Sequence, residues 1–439
     1  MSQDLPPVKT RVLKVGKEIL GNFGPSEHVG RWEVSTEQSS SIKVLEEAAD
    51  YLRTKDTPVG FPTETVYGLG ADATRSGSVK GIYTAKRRPQ DNPLIVHVAD
   101  LEMLRDLLKP TSDGATTNGH ADPIPEIYKP LISKFWPGPL TILLPNPESS
   151  QLAPEVTAGL KTFGARMPSS PLALSLIKLT GKPLAAPSAN ASTRPSATTA
   201  ADVLEDMDGR IELILDGGSC QVGVESTVVD GLCSPPVVLR PGGVSIDEIK
   251  SCVGWEEVQK AYKDHAEVGG KGEAPRAPGM KYKHYSPKAR VILYEASFEH
   301  GRKGIAEEDI DTISNLSKGA EEAESTSTSI GIIRTQRWAP GASLRCAQFA
   351  SKGSSDDIEG DLDVQESKLL SAQGTPIGRV FDLSIGRDAK SVAQGLFSAL
   401  RELDRRKPDL IFVEGIPDKD DIAAAVMNRL RKAASETRS

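Results

Sequence analysis

Short runs of apolar and β-branched residues recur along most of the chain, and segments of helical period separate them. Examples of the runs are PLIVHV (93–98), LTILLP (140–145) and IELILDG (211–217). Runs of this length, bounded by turn residues, are typical of buried strands. In the segment that begins at Ile42, by contrast, apolar residues recur every three or four positions, which predicts a helix. Strands that alternate with helices predict an α/β fold with a mixed sheet.

A segment poor in apolar residues divides these runs into two groups. It extends from Gly254 to about Pro287 and is rich in Gly, Lys, Ala and Pro, which is typical of an interdomain linker. A chain of 439 residues is also too long for a single core. The predicted organisation is an N-terminal extension over 1–35, a first α/β domain over 36–253, a linker over 254–289 and a C-terminal domain over 290–435.

The C-terminal domain is predicted to be the smaller one and to hold a parallel sheet. Its strand candidates are RVILYE (290–295), IGIIRT (330–335) and DLIFVEGIP (409–417). Its clearest helix is SVAQGLFSALRELDRR (391–406), because five apolar residues share one face: Val392, Leu396, Ala399, Leu400 and Leu403. Alternating strands and helices of this kind place the helices against the faces of the sheet.

Three polar stretches are predicted to be insertions. Residues 110–123 in the first domain have no period and are rich in glycine, serine and threonine, so they are expected to form a loop. Residues 305–329 and 351–374 in the C-terminal domain are acidic and rich in serine, so both are expected to be solvated.

Charge and cysteine content limit the classes of function. The net charge of −7 argues against a protein held to nucleic acid by its overall field, although a local basic site remains allowed. The four cysteines have no Cys-x-x-Cys spacing and no nearby histidine pair, which favours a reducing compartment over disulfides or a zinc site. No apolar run approaches the ~20 residues of a membrane span. We therefore expect a cytoplasmic protein, with an additional mitochondrial pool left open by the basic N-terminal stretch.

Cations and hydroxyls recur at strand ends in the first domain. FPTETVYGLG (61–70) delivers two threonines and a glutamate to a loop whose glycines permit close backbone approach, which suits a small polar ligand or an ordinary hydrogen-bonded turn. In KRRPQDNP (86–93), Lys86 and Arg88 suit phosphate groups, although cations also complement the dipole at a helix C-terminus. Two prolines stiffen the backbone after these cations, which lowers the entropy lost when a ligand is held.

Further candidates each have an ordinary structural explanation. His97 lies in an apolar strand, as a satisfied core histidine or as a ligand-binding group. Arg166 ends a strand and needs a carboxylate, from the protein or from a substrate. SAN (188–190) is a binding loop or a turn, and Ser226 and Arg240 lie beside strands of valine and leucine. Since no GxGxxG, Walker A, HExxH or Ser/His/Asp pattern occurs, these residues indicate an anion site with several hydrogen-bonded groups.

Seven motifs stand in a defined order along the chain: FPTETVYGLG, KRRPQDNPLIVHV, WPGPLT, ARMP, APSAN, GVESTVVD and VLRPGG. In this order they resemble the YrdC-like family, in particular its two-domain threonylcarbamoyl-AMP synthases. The resemblance is strong over 42–253, extends to the linker through APGMKYKHYSP (277–287), and is weaker beyond it. It implies a YrdC-like twisted mixed-sheet catalytic domain with a concave ligand site, followed by a smaller Rossmann-like parallel-sheet domain.

The resemblance implies a nucleotidyltransferase that makes L-threonylcarbamoyladenylate and pyrophosphate from L-threonine, bicarbonate or CO2, and ATP. It implies Mg2+ bound mainly through the ATP phosphates, and no membrane. A downstream threonylcarbamoyl transferase then modifies the adenosine beside the tRNA anticodon, so contact with tRNA is expected to be indirect. The alternative is an RNA-binding YrdC-like module without synthase activity. A hydrogenase-maturation branch shares this domain, but it carries zinc-finger cysteines whose spacing is absent from this sequence.

Matching motif positions also imply residue roles. The catalytic signature falls on Lys86, Arg88, Ser188 and Asn190. The positions that hold L-threonine are Thr63, His97, Arg166 and Ser226, with Arg166 as the partner of the substrate carboxylate. The positions that contact ATP are Lys86, Arg88, Asn92, Thr162, Ser188, Asn190, Ser196, Arg240 and Tyr285. No residue is assigned to a metal, and Lys86 is expected to be an exposed loop cation that matters little for stability.

Overall fold

The structure, a computed structural model, describes residues 8–109, 122–262, 285–313, 328–351, 362–418 and 421–439. These residues divide into two units by their internal contacts. The first unit takes 8–192 and 196–262, and the second takes 193–195 together with the described residues from 285 onward. Among these residues, none of the helices combines the length and the apolar character that crossing a membrane requires.

The first unit is built on a sheet in which eleven strands follow one another in the order β1-β10-β4-β5-β9-β6-β8-β7-β11-β12-β13. The strands of this sheet are β1 (Arg11–Lys14), β4 (Val59–Pro62), β5 (Tyr67–Asp72), β6 (Ile95–His97), β7 (Leu140–Pro145), β8 (Thr162–Arg166), β9 (Leu184–Ala185), β10 (Leu213–Asp216), β11 (Thr227–Asp230), β12 (Val237–Arg240) and β13 (Gln259–Lys260). Two further strands, β2 (Gly21–Phe23) and β3 (Trp32–Val34), pair antiparallel in a small sheet of their own. Parallel and antiparallel pairs both occur, so the predicted mixed sheet is confirmed.

Helices flank this sheet and bury their apolar faces. They are α1 (Ser40–Thr54), α2 (Ser76–Lys86), α3 (Leu101–Leu108), α4 (Lys129–Phe135), α5 (Pro154–Thr157), α6 (Pro171–Thr180), α7 (Ala200–Met207) and α8 (Ile246–Lys250). The helix predicted from Ile42 is α1: Ser39 caps it by accepting from the Ile42 N–H, and Leu45 and Leu52 are buried. At α8, Ser245 and Glu248 form a capping box that holds the first turn.

The first unit includes more of the chain than the sequence indicates. Residues 1–35 were predicted as an extension, but β1 pairs with β10 at the sheet edge, and the Trp32 indole, 4% exposed, donates to Ser175 Oγ at 3.0 Å. The predicted linker likewise begins inside this unit, because Trp255 is fully buried and β13 pairs with β12. Strands of two to four residues are too short to show a period, which explains why the sequence pattern misses them.

The second unit contains a seven-stranded sheet in the order β16-β17-β18-β15-β19-β14-β20. Its strands are β14 (Arg290–Tyr294), β15 (Thr328–Arg334), β16 (Ala350–Ser351), β17 (Gln365–Leu370), β18 (Pro376–Ser384), β19 (Leu410–Glu414) and β20 (Glu436–Arg438). Its helices are α9, described over 307–313, α10 (Ala389–Arg406) and α11 (Asp421–Ala433). β14, β15, β18, β19 and β20 run parallel, as predicted, and the five apolar residues on the predicted face of α10 are fully buried.

Two of the predicted insertions contain ordered structure. β17 lies inside the 351–374 stretch and pairs antiparallel with β18, with Ser367 and Leu369 on its buried face. In the 305–329 stretch, Ile305 is buried and Asp309 accepts from the Tyr294 hydroxyl and pairs with Arg438 at 2.6 Å. The expectation of solvated insertions is therefore wrong for these segments, because a strand or helix with one buried face needs few apolar residues. Residues 314–327 and 352–361 of these stretches, and 110–121 in the first domain, lie outside the described residues.

Candidate functional site

The turn between β4 and β5 carries polar side chains into the interior of the first unit. Thr63 Oγ1 lies 2.9 Å from Thr65 Oγ1 and 2.7 Å from the Val66 carbonyl oxygen, to which it donates. The Val222 N–H donates to the Glu64 carbonyl at 2.8 Å, which ties the turn to the segment before β11. Thr63, Glu64 and Thr65 are all buried. The turn is thus well satisfied internally, so a ligand would meet a rigid edge rather than a mobile loop.

An ion pair joins this turn to the end of β8. Arg166, 4% exposed, donates from Nη2 to Glu64 Oε1 at 2.6 Å, from Nη1 to Thr65 Oγ1 at 2.8 Å, and from Nε to the Gly138 carbonyl at 3.2 Å. The other Glu64 oxygen accepts from the Ser169 N–H at 3.2 Å. A guanidinium has five N–H groups. Three therefore hold its plane in place, and two have no partner among the described residues.

His97 lies beside this guanidinium. β6 and β8 pair in parallel with His97 opposite Arg166, so the two side chains share one face of the sheet. Burial, followed by the charge of Arg166, lowers the pKa of His97 from 6.5 to about 3, so its imidazole is neutral at physiological pH. Nδ1 lies 3.3 Å from the Ile95 carbonyl, which can only accept. Nδ1 therefore carries the proton, and Nε2 is left as an acceptor.

The lowered pKa makes His97 a source of acid sensitivity. Below pH 6.5 the unfolded chain binds a proton at this position that the folded protein does not bind until about pH 3, so stability is lost as pH falls. Compared with a His97→Gln variant, the wild-type protein should lose an additional ~1.4 kcal/mol of unfolding free energy per pH unit between pH 6 and pH 4. Urea denaturation at several pH values measures this difference. Parallel curves for the two proteins would contradict the neutral buried histidine.

A second group of side chains lies on β7, on β12 and at the residue just before β11. Thr141 Oγ1 is 2.8 Å from Ser226 Oγ, and Arg240 donates from Nη2 to that same Ser226 oxygen and from Nε to the Ser226 carbonyl, both at 3.0 Å. The loop after Arg240 lies directly on this segment, because a Cβ at Gly242 would collide with the backbone of Ser226 and Thr227. The two motifs GVEST and VLRPGG therefore form one continuous surface.

The sheet register explains why these two groups are neighbours. β7 and β8 are antiparallel with Ile142 opposite Ala165, so the next residues, Thr141 and Arg166, both project from the other face. β7 and β11 pair Thr141 with Val228, two residues beyond Ser226, which places Ser226 on that face as well. The polar groups of four neighbouring strands thus line one face of the sheet.

A third group contradicts the expectation for Lys86. This residue ends α2 and is 2% exposed, and its Nζ donates to the carbonyl oxygens of Ser188 and Asn190. The Ser192 hydroxyl donates back to the Lys86 carbonyl at 3.0 Å. Lys86 is therefore a buried cation that ties α2 to the SAN loop, and not an exposed loop residue. Its sequence shows only that a cation follows a helix, whereas burial depends on a loop one hundred residues away.

The other predicted residues lie as follows. Arg88 donates to the Pro93 carbonyl at 3.4 Å, and Asn92 is buried with its side-chain oxygen unpartnered among the described residues. Thr162, half-buried on β8, borders a small cavity together with Thr141. Ser196 donates to Glu225 Oε1 at 2.6 Å.

Tyr285 belongs to the second unit. There it stacks on Phe397 with 5.2 Å between ring centroids, and the Arg429 guanidinium lies 5.9 Å from its ring. Its backbone has a positive φ of 66°, unusual for a residue with a side chain. Its contact with ATP stays a prediction from the resemblance.

Three residues that hydrogen-bond to predicted site residues were not predicted from the sequence. Glu64, Thr141 and Glu225 were not predicted as site residues, yet each contacts one that was. All three stand inside the quoted motifs FPTETVYGLG, WPGPLT and GVESTVVD. For Glu64 the available signal was that Arg166 needs a carboxylate and that FPTETVYGLG carries one.

The donor set favours oxyanions. Cations and hydroxyls dominate the three groups, and they suit carboxylate and phosphate oxygens. In the parts of the chain that the structure describes, no group of three or more histidine, cysteine, aspartate or glutamate side chains is placed to hold a metal ion. A divalent cation that arrives on a phosphate ligand would fit this set, because the phosphates and water would supply its oxygens.

Comparison with known proteins gives relatives of nearly full length. A family model described as "Telomere recombination" matches residues 52–242, and one described as "Threonylcarbamoyl-AMP synthase, C-terminal domain" matches residues 244–435. A Schizosaccharomyces pombe protein named threonylcarbamoyl-AMP synthase is 44% identical over 99% of this chain and 98% of its own length. A Bacillus subtilis protein of the same name is 40% identical over 92% and 97%. The crystal structure of Sua5 from P. abyssi complexed with L-threonine superposes with a TM-score of 0.67 at 36% identity, covering 97% of this chain and 98% of that one.

Proposed function

The chain belongs to the threonylcarbamoyl-AMP synthase family, and from that premise we propose that it makes L-threonylcarbamoyladenylate and pyrophosphate from L-threonine, bicarbonate or CO2, and ATP. The family predicted from the seven motifs is thereby confirmed, as is the two-domain fold. The observation that carries the proposal is Arg166, a buried guanidinium with two N–H groups to spare beside a neutral histidine. These groups suit the carboxylate and the amine of an amino acid.

The threonine half of the site works by orientation. The two spare N–H groups of Arg166 take the substrate carboxylate, while Thr63 and Ser226 supply hydroxyls. The amine must be neutral to react with CO2, and a neutral His97 accepts a hydrogen bond from it through Nε2. The amine nitrogen then bonds to the carbon of CO2 and gives up one proton to solvent, which leaves a carbamate.

The nucleotide half works by positioning and charge. A carbamate oxygen bonds to the α-phosphorus of ATP, the bond to the bridging oxygen breaks, and pyrophosphate leaves with the electron pair. Lys86 and Arg88, with Ser188 and Asn190, hold the phosphates and stabilise the developing charge, so the protein needs no nucleophile of its own. The remaining nucleotide contacts are proposed for Asn92, Thr162, Ser196, Arg240 and Tyr285.

The cofactor and the partners are proposed from the family resemblance. Mg2+ would be held mainly by the ATP phosphates and water, and it would neutralise phosphate charge. The adenylate is consumed by a downstream threonylcarbamoyl transferase acting on tRNA, so tRNA contact by this chain is indirect. The cytoplasmic location stays a prediction from the sequence, which leaves an additional mitochondrial pool open.

Pyrophosphate release tests the proposed reaction. We expect release only when L-threonine, bicarbonate and ATP are all present, and none when any one is omitted. The alternative, an RNA-binding module, would instead bind tRNA in a salt-dependent manner without threonine-dependent pyrophosphate release. That second pattern would overturn the proposed function.

A further inference from the structure

The Thr141 hydroxyl is a buried polar group that the proposed reaction does not use. Thr141 is fully buried in β7, and within the described residues its one hydrogen-bond partner is Ser226 Oγ at 2.8 Å. A valine would have nearly the same shape and would suit a strand at least as well. The position therefore carries a hydroxyl that packing alone does not require.

The donors and acceptors around Ser226 indicate what the Thr141 hydroxyl does. Ser226 Oγ can donate one proton and accept two, and Arg240 can only donate to it. If Ser226 donated to Thr141, the Thr141 proton would have no acceptor among the described residues even after a ligand bound at Ser226, which is costly. If Thr141 donates instead, both acceptor sites of Ser226 are used. The Ser226 proton is then left to point at an acceptor oxygen of a ligand, and no proton is wasted once that ligand binds.

From this accounting we infer that Thr141 is a positioning residue for the amino-acid substrate. Together with Arg240, it turns the Ser226 hydroxyl into a donor aimed at an oxygen of the bound threonine. The inference rests on the proposed function for the identity of the ligand. The new element is the role of Thr141, a residue that does not touch the ligand itself.

Substitutions at Thr141 should change the binding of threonine and not the folding of the protein. In Thr141→Val, Ser226 regains an unused acceptor site and its proton is no longer directed, so we expect the KM for threonine to rise about five- to tenfold. The KM for ATP should change less than twofold. Thr141→Ser keeps the hydroxyl and should restore the wild-type KM for threonine.

A double variant tests whether Thr141 acts through Ser226. Ser226→Ala should raise the KM for threonine by itself, and adding Thr141→Val to it should raise it no further, because the two residues form one unit. Effects that multiply would overturn the inference. So would an unchanged KM for threonine in Thr141→Val.

Two further measurements keep the test decisive. Thr180→Val removes another buried hydroxyl, one that donates to the Leu176 carbonyl at 2.8 Å on α6, and it should leave the KM for threonine unchanged. If Thr141→Val does not fold, Thr141→Ala replaces it. Calorimetric binding of L-threonine gives the same comparison without turnover. The two proposals can also fail separately. If the wild-type protein binds threonine but releases no pyrophosphate, the proposed reaction is overturned. Weaker threonine binding in the Thr141 variants would still support the role of Thr141 in that case.

Discussion

Replacing Lys86 by methionine should lower the rate of pyrophosphate release by about 100-fold or more. The loss is that of one charged group that stabilises a transition state in a water-poor site, for which factors of roughly 100 to 1,000 are typical. The side chain keeps its length and apolar stem, so the charge is the main change. Steady-state release under saturating L-threonine, bicarbonate and ATP measures the effect.

Folding must be separated from catalysis in this variant. Because Lys86 donates to the Ser188 and Asn190 carbonyls, its loss should also reduce the unfolding free energy by about 1–3 kcal/mol. Lys80→Met is the matched control: it lies on the same helix, is 56% exposed, and pairs with Glu155 at 3.2 Å. Glu155 is only 15% exposed, but Ser76 also donates to it, so the control should keep its activity and lose at most about 1 kcal/mol of unfolding free energy. A folded Lys86→Met protein with normal turnover would reject the assigned role.

Replacing Arg166 by methionine should raise the KM for threonine by about 100-fold or more, with a smaller effect on the KM for ATP. Two charge-assisted hydrogen bonds to the substrate carboxylate are lost, each worth about 1.5–3 kcal/mol. Threonine dependence of pyrophosphate release measures the change. Equal threonine dependence in variant and wild type would contradict the carboxylate contact.

The same substitution leaves a buried carboxylate without its cation. Glu64 loses its cation, and breaking a buried pair costs about 3–5 kcal/mol of stability. The double variant Arg166→Met/Glu64→Gln removes that charge as well. We expect it to recover part of the lost stability, measured by urea denaturation, while the KM for threonine remains high. Recovery of the KM along with stability would mean that Arg166 acts only through the fold.

The sequence predicts best where one residue type decides the outcome. Apolar residues are buried in most sequence contexts, so a run or a face made of them can be predicted. The strand β6, with the run IVH, and the helix α10, with its five apolar residues, are confirmed in this way. The sequence pattern misses β1 and β17 because most of their residues are not buried. Such strands depend on a neighbour to complete their hydrogen bonds: for β1 that neighbour is β10, some two hundred residues away, and for β17 it is the adjacent β18.

The candidate site shows the same limit at the level of atoms. The motifs indicate that Arg166 needs a carboxylate, but only the fold brings Glu64 to it from 102 residues away. Likewise, Lys86 shows its charge in the sequence but not the two carbonyls that bury it. The sequence shows which donor or acceptor a residue carries. Which of several possible partners it contacts depends on distances that only the folded structure sets.

The close approach at Gly242 has a consequence for protein engineering. The backbone after Arg240 rests on the backbone of Ser226 and Thr227 with no room for a side chain between them. A chimera that takes residues 222–230 from one relative and 237–243 from another would join two surfaces that were not shaped together. Exchange of this region between relatives should therefore succeed as a single cassette over 222–243, and fail when a crossover falls between the two strands.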